Sequence, residues 1–422
     1  MCGDYYNSAH PQKRISMLMK LTKNQIDLFN ALRRECKKSY PSKKSYTLQP
    51  NELVLNISEG CNLTCPYCFA GQGKYGASTE SWMTPELAYN TVFDTLKKYP
   101  SLNILKLFGG EPFMNLRAMR SACKASKDAQ CSGVSHLSIG TVTNMTIYTP
   151  LHAQLIKEYH LKLTVSVDGP RQIHDHFRRF QNGKGSFDRI RRCLDLYAAK
   201  GVVPTAFESV YTPYDYYHGL SFGDVVNYLI KEFGAQWVHV VPALGSFHGN
   251  EREQELEFAN SVRESVRDFY TDCVLSDQPA KQAMAREMLG VICNPLTSTL
   301  WCGLGQRNIT VAADGTVYPC YMFLNKRHQW KMADSINNLS EATVPKDIKE
   351  SLLQASAVND SRCQTCILRE VCRGCPAGVY SEKNDFTGYD PANCAFRFGA
   401  VEGILNGWST KLSRQKLQTV AA

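Results

Sequence analysis

At 422 residues, 43% of them apolar, the chain is long enough for two or three domains with a sizeable core. No run reaches the roughly 18 apolar residues of a membrane span, so a membrane partner is not expected. The formal net charge of +9 comes without a basic run interleaved with aromatics, which excludes nucleic acid and leaves solubility, or attraction of an acidic peptide or anionic cofactor.

Residues 1–48 read as an N-terminal extension and linker. Within Leu21–Cys36, Ile26, Phe29 and Leu32 recur every three residues, and Leu28, Leu32 and Cys36 every four, which is one face of a helix. Lys37-Lys-Ser-Tyr-Pro-Ser-Lys-Lys44 then reads as a linker. The start, Met1-Cys-Gly-Asp-Tyr-Tyr-Asn7, has no basic segment followed by an apolar core, so no secretory signal is read. The count of 17 cysteines, grouped in C-x₂-C pairs, then suggests metal sites in a reducing cytoplasm rather than disulfides.

From 49 to 285, strand-like and helix-like runs alternate. Strands are expected at 52–57, 103–108, 136–143, 161–168, 203–210 and 236–242, and helices at 85–99, 115–129, 151–159, 187–200, 222–233 and 251–273. Six β/α units in series imply parallel strands joined by helical crossovers.

The first strand runs into Cys61-Asn-Leu-Thr-Cys65-Pro-Tyr-Cys68-Phe69. Three thiolates on one short loop can hold three irons of a [4Fe–4S] cube and leave the fourth open to a small molecule. Zinc is the other occupant to weigh. It usually closes with a fourth Cys or His nearby, and the nearest downstream histidine is His136. The C-x₃-C-x₂-C spacing, the aromatic Phe69 and the preceding strand together resemble the signature of the radical S-adenosylmethionine (SAM) superfamily. The resemblance implies a partial (β/α)₆ TIM-like barrel. It also implies that SAM chelates the open iron and is cleaved by one electron to methionine and a 5′-deoxyadenosyl radical, which takes a hydrogen atom from substrate.

The later motifs are read through that resemblance. Gly109-Gly110-Glu111-Pro112 is the expected holder of the SAM amino group. Asn144, Ser166 and Asp168, at the ends of the third and fourth strands, are expected at its ribose and carboxylate. Arg178 matches the arginine that clamps the SAM carboxylate in sulfatase-maturase-like members, a task suited to its planar fork. His174 and His176 are expected in a surface loop. Glu208 is expected in or near the barrel mouth, where a buried carboxylate must be paired or functional.

After 285 the pattern changes to Cys302, Gly315, Cys320, then Cys363-x₂-Cys366-x₅-Cys372-x₂-Cys375, and Cys394. This resembles the SPASM domain of peptide-modifying members, a loop-rich unit with two auxiliary [4Fe–4S] clusters, here spanning 286–400. The last gap of the quartet is two residues, Arg373-Gly374, where three are usual. The resemblance assigns one auxiliary cluster to Cys363, Cys366, Cys372 and Cys394. It assigns the other to Cys302, Cys320 and Cys375, with Cys293 as fourth ligand, presented from a loop before Asn294-Pro295. That makes three [4Fe–4S] clusters with the SAM site. Cys2, Cys36, Cys123, Cys131, Cys193 and Cys273 are expected to be packing residues, and 401–422 a C-terminal tail.

The glycine-rich continuation Phe69-Ala-Gly-Gln-Gly-Lys-Tyr-Gly76 looks like the maturases that cross-link ribosomal peptides. The expected activity is therefore hydrogen abstraction from a ribosomal precursor peptide to install a thioether or other side-chain cross-link. The partners implied are that peptide, an external leader-binding protein and an electron donor such as flavodoxin or ferredoxin. A second reading is oxidation of Cys or Ser to formylglycine. Members with that activity carry an aspartate after the second SPASM cysteine, where this chain has Tyr321, itself a candidate relay of protons or electrons. A third reading is a non-catalytic iron–sulfur scaffold, against which the intact GGEP and Arg178 argue.

Overall fold

The computed structural model describes residues 20–34, 46–131, 137–243, 252–294, 302–355, 361–386 and 390–421. Six parallel strands form its frame: β1 (Glu52–Glu59), β3 (Ile104–Gly109), β4 (Ser138–Thr143), β5 (Lys162–Ser166), β6 (Ala206–Tyr211) and β7 (Trp237–Pro242). They lie side by side in chain order. The short β2 (Ser81–Trp82) pairs antiparallel with the end of β1. This is the partial α/β barrel expected from the alternating pattern, with strand and helix ends moved by one to three residues.

Burial follows position in the sheet. β1 is covered on both faces, so its run Leu53-Val-Leu-Asn-Ile-Ser-Glu59 is buried throughout. β4, β6 and β7 alternate, with one face under helices and the other turned to the open interior. Three helices open on Thr-Pro steps, at Pro85, Pro150 and Pro213. In each the threonine hydroxyl accepts a backbone N–H from the first turn while proline occupies the position that needs no donor.

The segment after the barrel is joined to the same sheet. β8 (Asn308–Val311) pairs parallel with β1 on the side opposite β3, and β9 (Val317–Tyr318) pairs antiparallel with β8. Glu59, buried at the end of β1, accepts the Ala313 N–H at 3.1 Å and pairs with Arg327 at 2.6 Å.

Three expectations are corrected here, for residues 401–421, Cys293 and Cys131. Residues 401–421 belong to a helix, Pro391–Ala421, packed along the helix Arg252–Leu275. Gly399, Gly403 and Gly407 stand one turn apart on its contact face. A Cβ on Gly399 or Gly403 would lie 2.4 Å from the carbonyl oxygen of Arg263 or Arg267, so only glycine permits this approach. Arg263 and Glu402 pair across the seam at 3.0 Å. Cys293 is the last residue of a helix, Pro279–Cys293, and not part of a loop. The N-terminal helix Lys23–Arg34 packs on the helices 279–293 and 391–421 through buried Phe29, with Gln25 donating to Asn406 at 3.0 Å. Cys123, Cys193 and Cys273 are buried as packing residues, whereas Cys131 is exposed; Cys2 and Cys36 lie outside the described residues.

Candidate functional site

The cysteine loop leaves the C-terminal end of β1 and is tied down on both sides. Leu63 bridges Phe180, and Thr64 donates its N–H to the Arg179 carbonyl at 2.8 Å. Cys68 donates to the Cys65 carbonyl and Gly71 to that of Cys68, which curls the loop on itself. The three are half-buried and lie close enough to act on one another electrostatically. Burial pushes the Cys65 thiol up to about 12 and Cys61 beyond the usual range. Three thiolates here need a strongly cationic partner, and an iron–sulfur cube ligated by three cysteines supplies one.

The glycines behind the loop make a cradle. Gly109 has φ of 152°, and a Cβ on it would lie 2.2 Å from the Ser58 oxygen. A Cβ on Gly110 would meet the Gly60 oxygen at 2.3 Å, and one on Gly73 the Gly110 Cα at 2.6 Å. Gly110 and Glu111 then donate their N–H groups to Ser58 and Gly60 at 2.7 and 3.0 Å. The Gly-Gly-Glu-Pro turn is thus locked to the root of the cysteine loop, and the continuation after Cys68 folds back on both. Glu111 is buried, and burial raises its carboxyl to about 7. It accepts from the Phe113 N–H at 2.9 Å, Thr143 Oγ1 at 2.8 Å and the Asn144 N–H at 2.7 Å. Pro112 starts the single 3₁₀ turn that presents Phe113. Asn144 reaches the loop itself, with Nδ2 2.9 Å from Asn62 Oδ1 and 3.8 Å from Cys61 Sγ.

Asp168 and Arg178 are found together. Asp168 is fully buried and accepts from Arg178 Nε at 2.9 Å, from the Val210 N–H at 3.1 Å and from the Tyr67 hydroxyl. The Arg178 guanidinium lies 5.6 Å from the Tyr67 ring centre. Its two terminal amines have no hydrogen-bond partner among the described residues, so that side of the fork is available to a ligand. The expectation for His174 is corrected. It sits fully buried on the helix Arg171–Phe177, not in a surface loop. Burial lowers its pKa to about 4, so it is neutral. Nδ1 accepts the Asp168 N–H at 3.3 Å, Nε2 pairs with Ser186 Oγ at 2.9 Å, and Ser186 donates to the Arg178 carbonyl at 2.7 Å. This relay braces both ends of the Asp168–Arg178 pair. His176 is on the same helix, exposed and stacked on Tyr214 at 3.8 Å.

The interior carries a second polar layer. Register aligns Ser166, Glu208 and His239 on three successive strands, and Ser166 Oγ donates to Glu208 at 3.0 Å. His239 was not anticipated from the sequence. Its place two residues after Trp237, on a strand alternating apolar and interior-facing positions, is the signal that marks it. It is open to the interior yet surrounded by protein, which lowers its pKa, while Glu208 opposes that shift. Tyr321 bridges this layer to the cysteine loop. Its ring is 5.5 Å from Phe69 and 4.5 Å from Phe108, and Lys106 Nζ lies 5.5 Å from its centre. Asn325 donates to the Phe69 carbonyl at 2.7 Å, so the segment after Cys320 is docked directly on the loop.

The remaining cysteines fall into two groups. Cys302, Cys320 and Cys375 act on one another electrostatically, as do Cys363, Cys366, Cys372 and Cys394. These are the two sets the sequence grouped. Cys293 closes its helix just before residues 295–301, which are outside the described part.

Comparison with known proteins agrees with this arrangement. The pattern described as "Radical SAM superfamily" matches residues 55–227, and that described as "Iron-sulfur cluster-binding domain" (SPASM) matches 302–376. The chain is 25% identical over 200 residues to a "Radical SAM cyclopropyl synthase TigE" of Paramaledivibacter caminithermalis, covering 44% of this chain but only 41% of that protein. It is 22% identical over 301 residues to a "Serine-type anaerobic sulfatase-maturating enzyme" of Bacteroides thetaiotaomicron, covering 64% of this chain and 69% of that one. In fold it is similar to anSMEcpe solved with bound AdoMet, with a TM-score of 0.66, 18% identity, and 86% of this chain and 100% of that one covered. It is also similar to Streptococcus suis SuiB bound to its precursor peptide SuiA, with a TM-score of 0.57, 14% identity, and 93% and 84% covered. Among the described residues no helix is long and apolar enough to cross a membrane.

Proposed function

The chain belongs to the radical SAM superfamily and carries a SPASM domain, and from that premise we propose that it is a maturase of ribosomally made peptides that installs a thioether or other side-chain cross-link. The reading rests on one observation: Glu208, His239, Lys106 and Tyr321 lie close enough on the interior side of the sheet to act on one another, with Cys320 beside Tyr321. An interior of that kind suits an extended peptide segment, and some relatives of similar fold are solved with bound peptides.

With SAM and a reduced cluster bound at Cys61, Cys65 and Cys68, the site supplies a 5′-deoxyadenosyl radical that takes a hydrogen atom from the substrate. The chain's own residues do the rest. Gly109, Gly110 and Glu111 offer backbone carbonyls and a carboxylate to an amino group beside the loop. Arg178, held by Asp168 and Tyr67, offers its terminal amines to a carboxylate as a bidentate fork. Phe69, next to Cys68 and packed on Tyr321, would adjoin the bound SAM. Glu208 and His239 face each other across adjacent strands and can take or give the proton that a closing cross-link releases. In this reading the protein holds three [4Fe–4S] clusters, with Cys363, Cys366, Cys372 and Cys394 around one and Cys302, Cys320 and Cys375 around another. A flavodoxin or ferredoxin donates electrons, and a separate protein presents the leader.

The function is tested by co-expressing the protein with any short peptide found encoded beside its gene and analysing that peptide by mass spectrometry. A cross-link lowers its mass by two hydrogens, with fragmentation blocked across the bridged segment. An unmodified peptide argues against this reading. The second reading, formylglycine formation, has the sulfatase-maturating relatives in its favour. Its mark is an aldehyde that reacts with hydrazides, and no bridge.

Cys293 gives a separate prediction. If it completes the set of Cys302, Cys320 and Cys375, Cys293→Ala lowers the iron content or alters the spectrum of one cluster and leaves the others intact. If spectrum and iron are unchanged and a peptide thiol perturbs the wild-type cluster, that iron is open to substrate instead.

A further inference from the structure

Cys372 opens onto a cavity whose other polar lining is two arginines, Arg373 and Arg397; the rest is aliphatic, including Met288 and Val291, and no Asp or Glu lines it. Arg397 sits on the helix Pro391–Ala421, one turn past Cys394, so the two share a helix face. Its Nε is buried and has no hydrogen-bond partner among the described residues. Burial disfavours its charge. What favours it is Cys372 first, then Tyr270 and Cys375, with Arg373 adding like-charge repulsion. Two arginines lining one cavity without a carboxylate, one of them with a buried and unpaired Nε, are costly unless something anionic lies between them.

A cube with four cysteine thiolates is such an anion, with net charge −2 when oxidised and −3 when reduced. We propose that Arg397 is a positioning residue of the SPASM domain: its guanidinium, buried between Cys372 of one cysteine set and Cys375 of the other, is the counter-charge of both auxiliary clusters and raises their reduction potentials. A fixed positive charge stabilises the more negative, reduced cluster more than the oxidised one, and an N–H aimed at cluster sulfur acts in the same direction. The effect is greater at the set containing Cys372, which shares the cavity and carries Cys394 on Arg397's own helix. The loop of Cys61, Cys65 and Cys68 has no part in this cavity and is left unaffected. The inference rests on the reading that these cysteines hold clusters.

The test is a reductive titration of the full-length, anaerobically reconstituted protein, followed by electron paramagnetic resonance, for the wild type, Arg397→Met and Arg397→Lys. Arg397→Met is expected to make reduction of the cluster at Cys363, Cys366, Cys372 and Cys394 at least tenfold less favourable, about 59 mV for a one-electron couple. The other auxiliary potential falls by less, and that of the SAM-site cluster stays constant. Arg397→Lys, which keeps the charge and loses the Nε–H, gives a smaller shift of the same sign. Unchanged auxiliary potentials in a fully loaded Arg397→Met protein overturn the proposal. If the methionine variant fails to assemble, Arg397→Gln, which removes the charge but stays polar, decides: a downward shift supports the proposal and none overturns it. Wild-type protein that binds iron only at the SAM site overturns the cluster reading, and the inference with it.

Discussion

The triple variant Cys61→Ala, Cys65→Ala, Cys68→Ala is expected to hold about four fewer irons than the wild type, the content of one cube, and to form no 5′-deoxyadenosine from SAM. The loop has no other strong ligand to substitute. Its neighbours Asn62 and Asn144 are bound to each other, and Glu111 is engaged by three donors. Folding should survive. The loop is anchored through backbone contacts of Leu63, Thr64 and Gly60 that no thiol makes. The other cysteine sets should keep their iron, because they are built on 302–394. The measurements are iron per chain and chromatographic detection of 5′-deoxyadenosine. Cleavage surviving in the triple variant would contradict the assignment of this loop.

The second large effect is expected at Asp168. Removing its carboxylate in Asp168→Ala leaves the Arg178 charge buried without its partner, a loss of about 3–5 kcal/mol in stability for a broken buried pair. It also frees the fork that faces the ligand, so SAM binding weakens as well. Arg178→Lys isolates the second consequence. Lysine keeps the charge but loses the planar fork and the Nε contact to Asp168. A cost of about 1–3 kcal/mol in SAM affinity is expected for losing a charge-assisted hydrogen bond, read by calorimetry on the loaded protein. Unchanged affinity in Arg178→Lys, or an unshifted melting curve in Asp168→Ala, would contradict the arrangement described here.

Asp168 and Arg178 also mark what the sequence can and cannot carry. Both were singled out by the motifs around them. That they answer first to each other was not legible, because nothing in local spacing brings the end of β5 to the end of the helix 171–177. His174 failed for the same reason: a polar residue near glycines reads as a loop, and its burial is set by Ser186 and Asp168, which only the fold assembles. The strands were legible because alternation and apolar runs are local. The cysteine sets were read through the resemblance and not through closeness in the chain, since Cys375 groups with Cys302 and Cys320 and not with its neighbour Cys372. The helix 391–421 was missed because its contact face is made of glycines at 399, 403 and 407, which weaken the apolar pattern that normally reveals a packed helix. Its apolar residues Val401, Ile404 and Leu405 are buried beside those glycines, a packing visible only with the partner helix in place.

The central claim, hydrogen abstraction from a peptide inside this barrel, is tested most directly by isotope transfer. The reconstituted, chemically reduced protein is incubated with SAM and the deuterated form of any short peptide found encoded beside its gene, and the 5′-deoxyadenosine is weighed by mass spectrometry. The account predicts deuterium in the nucleoside and a peptide that has lost two hydrogens, one of them to SAM. Unlabelled 5′-deoxyadenosine, with the peptide unchanged, would contradict it.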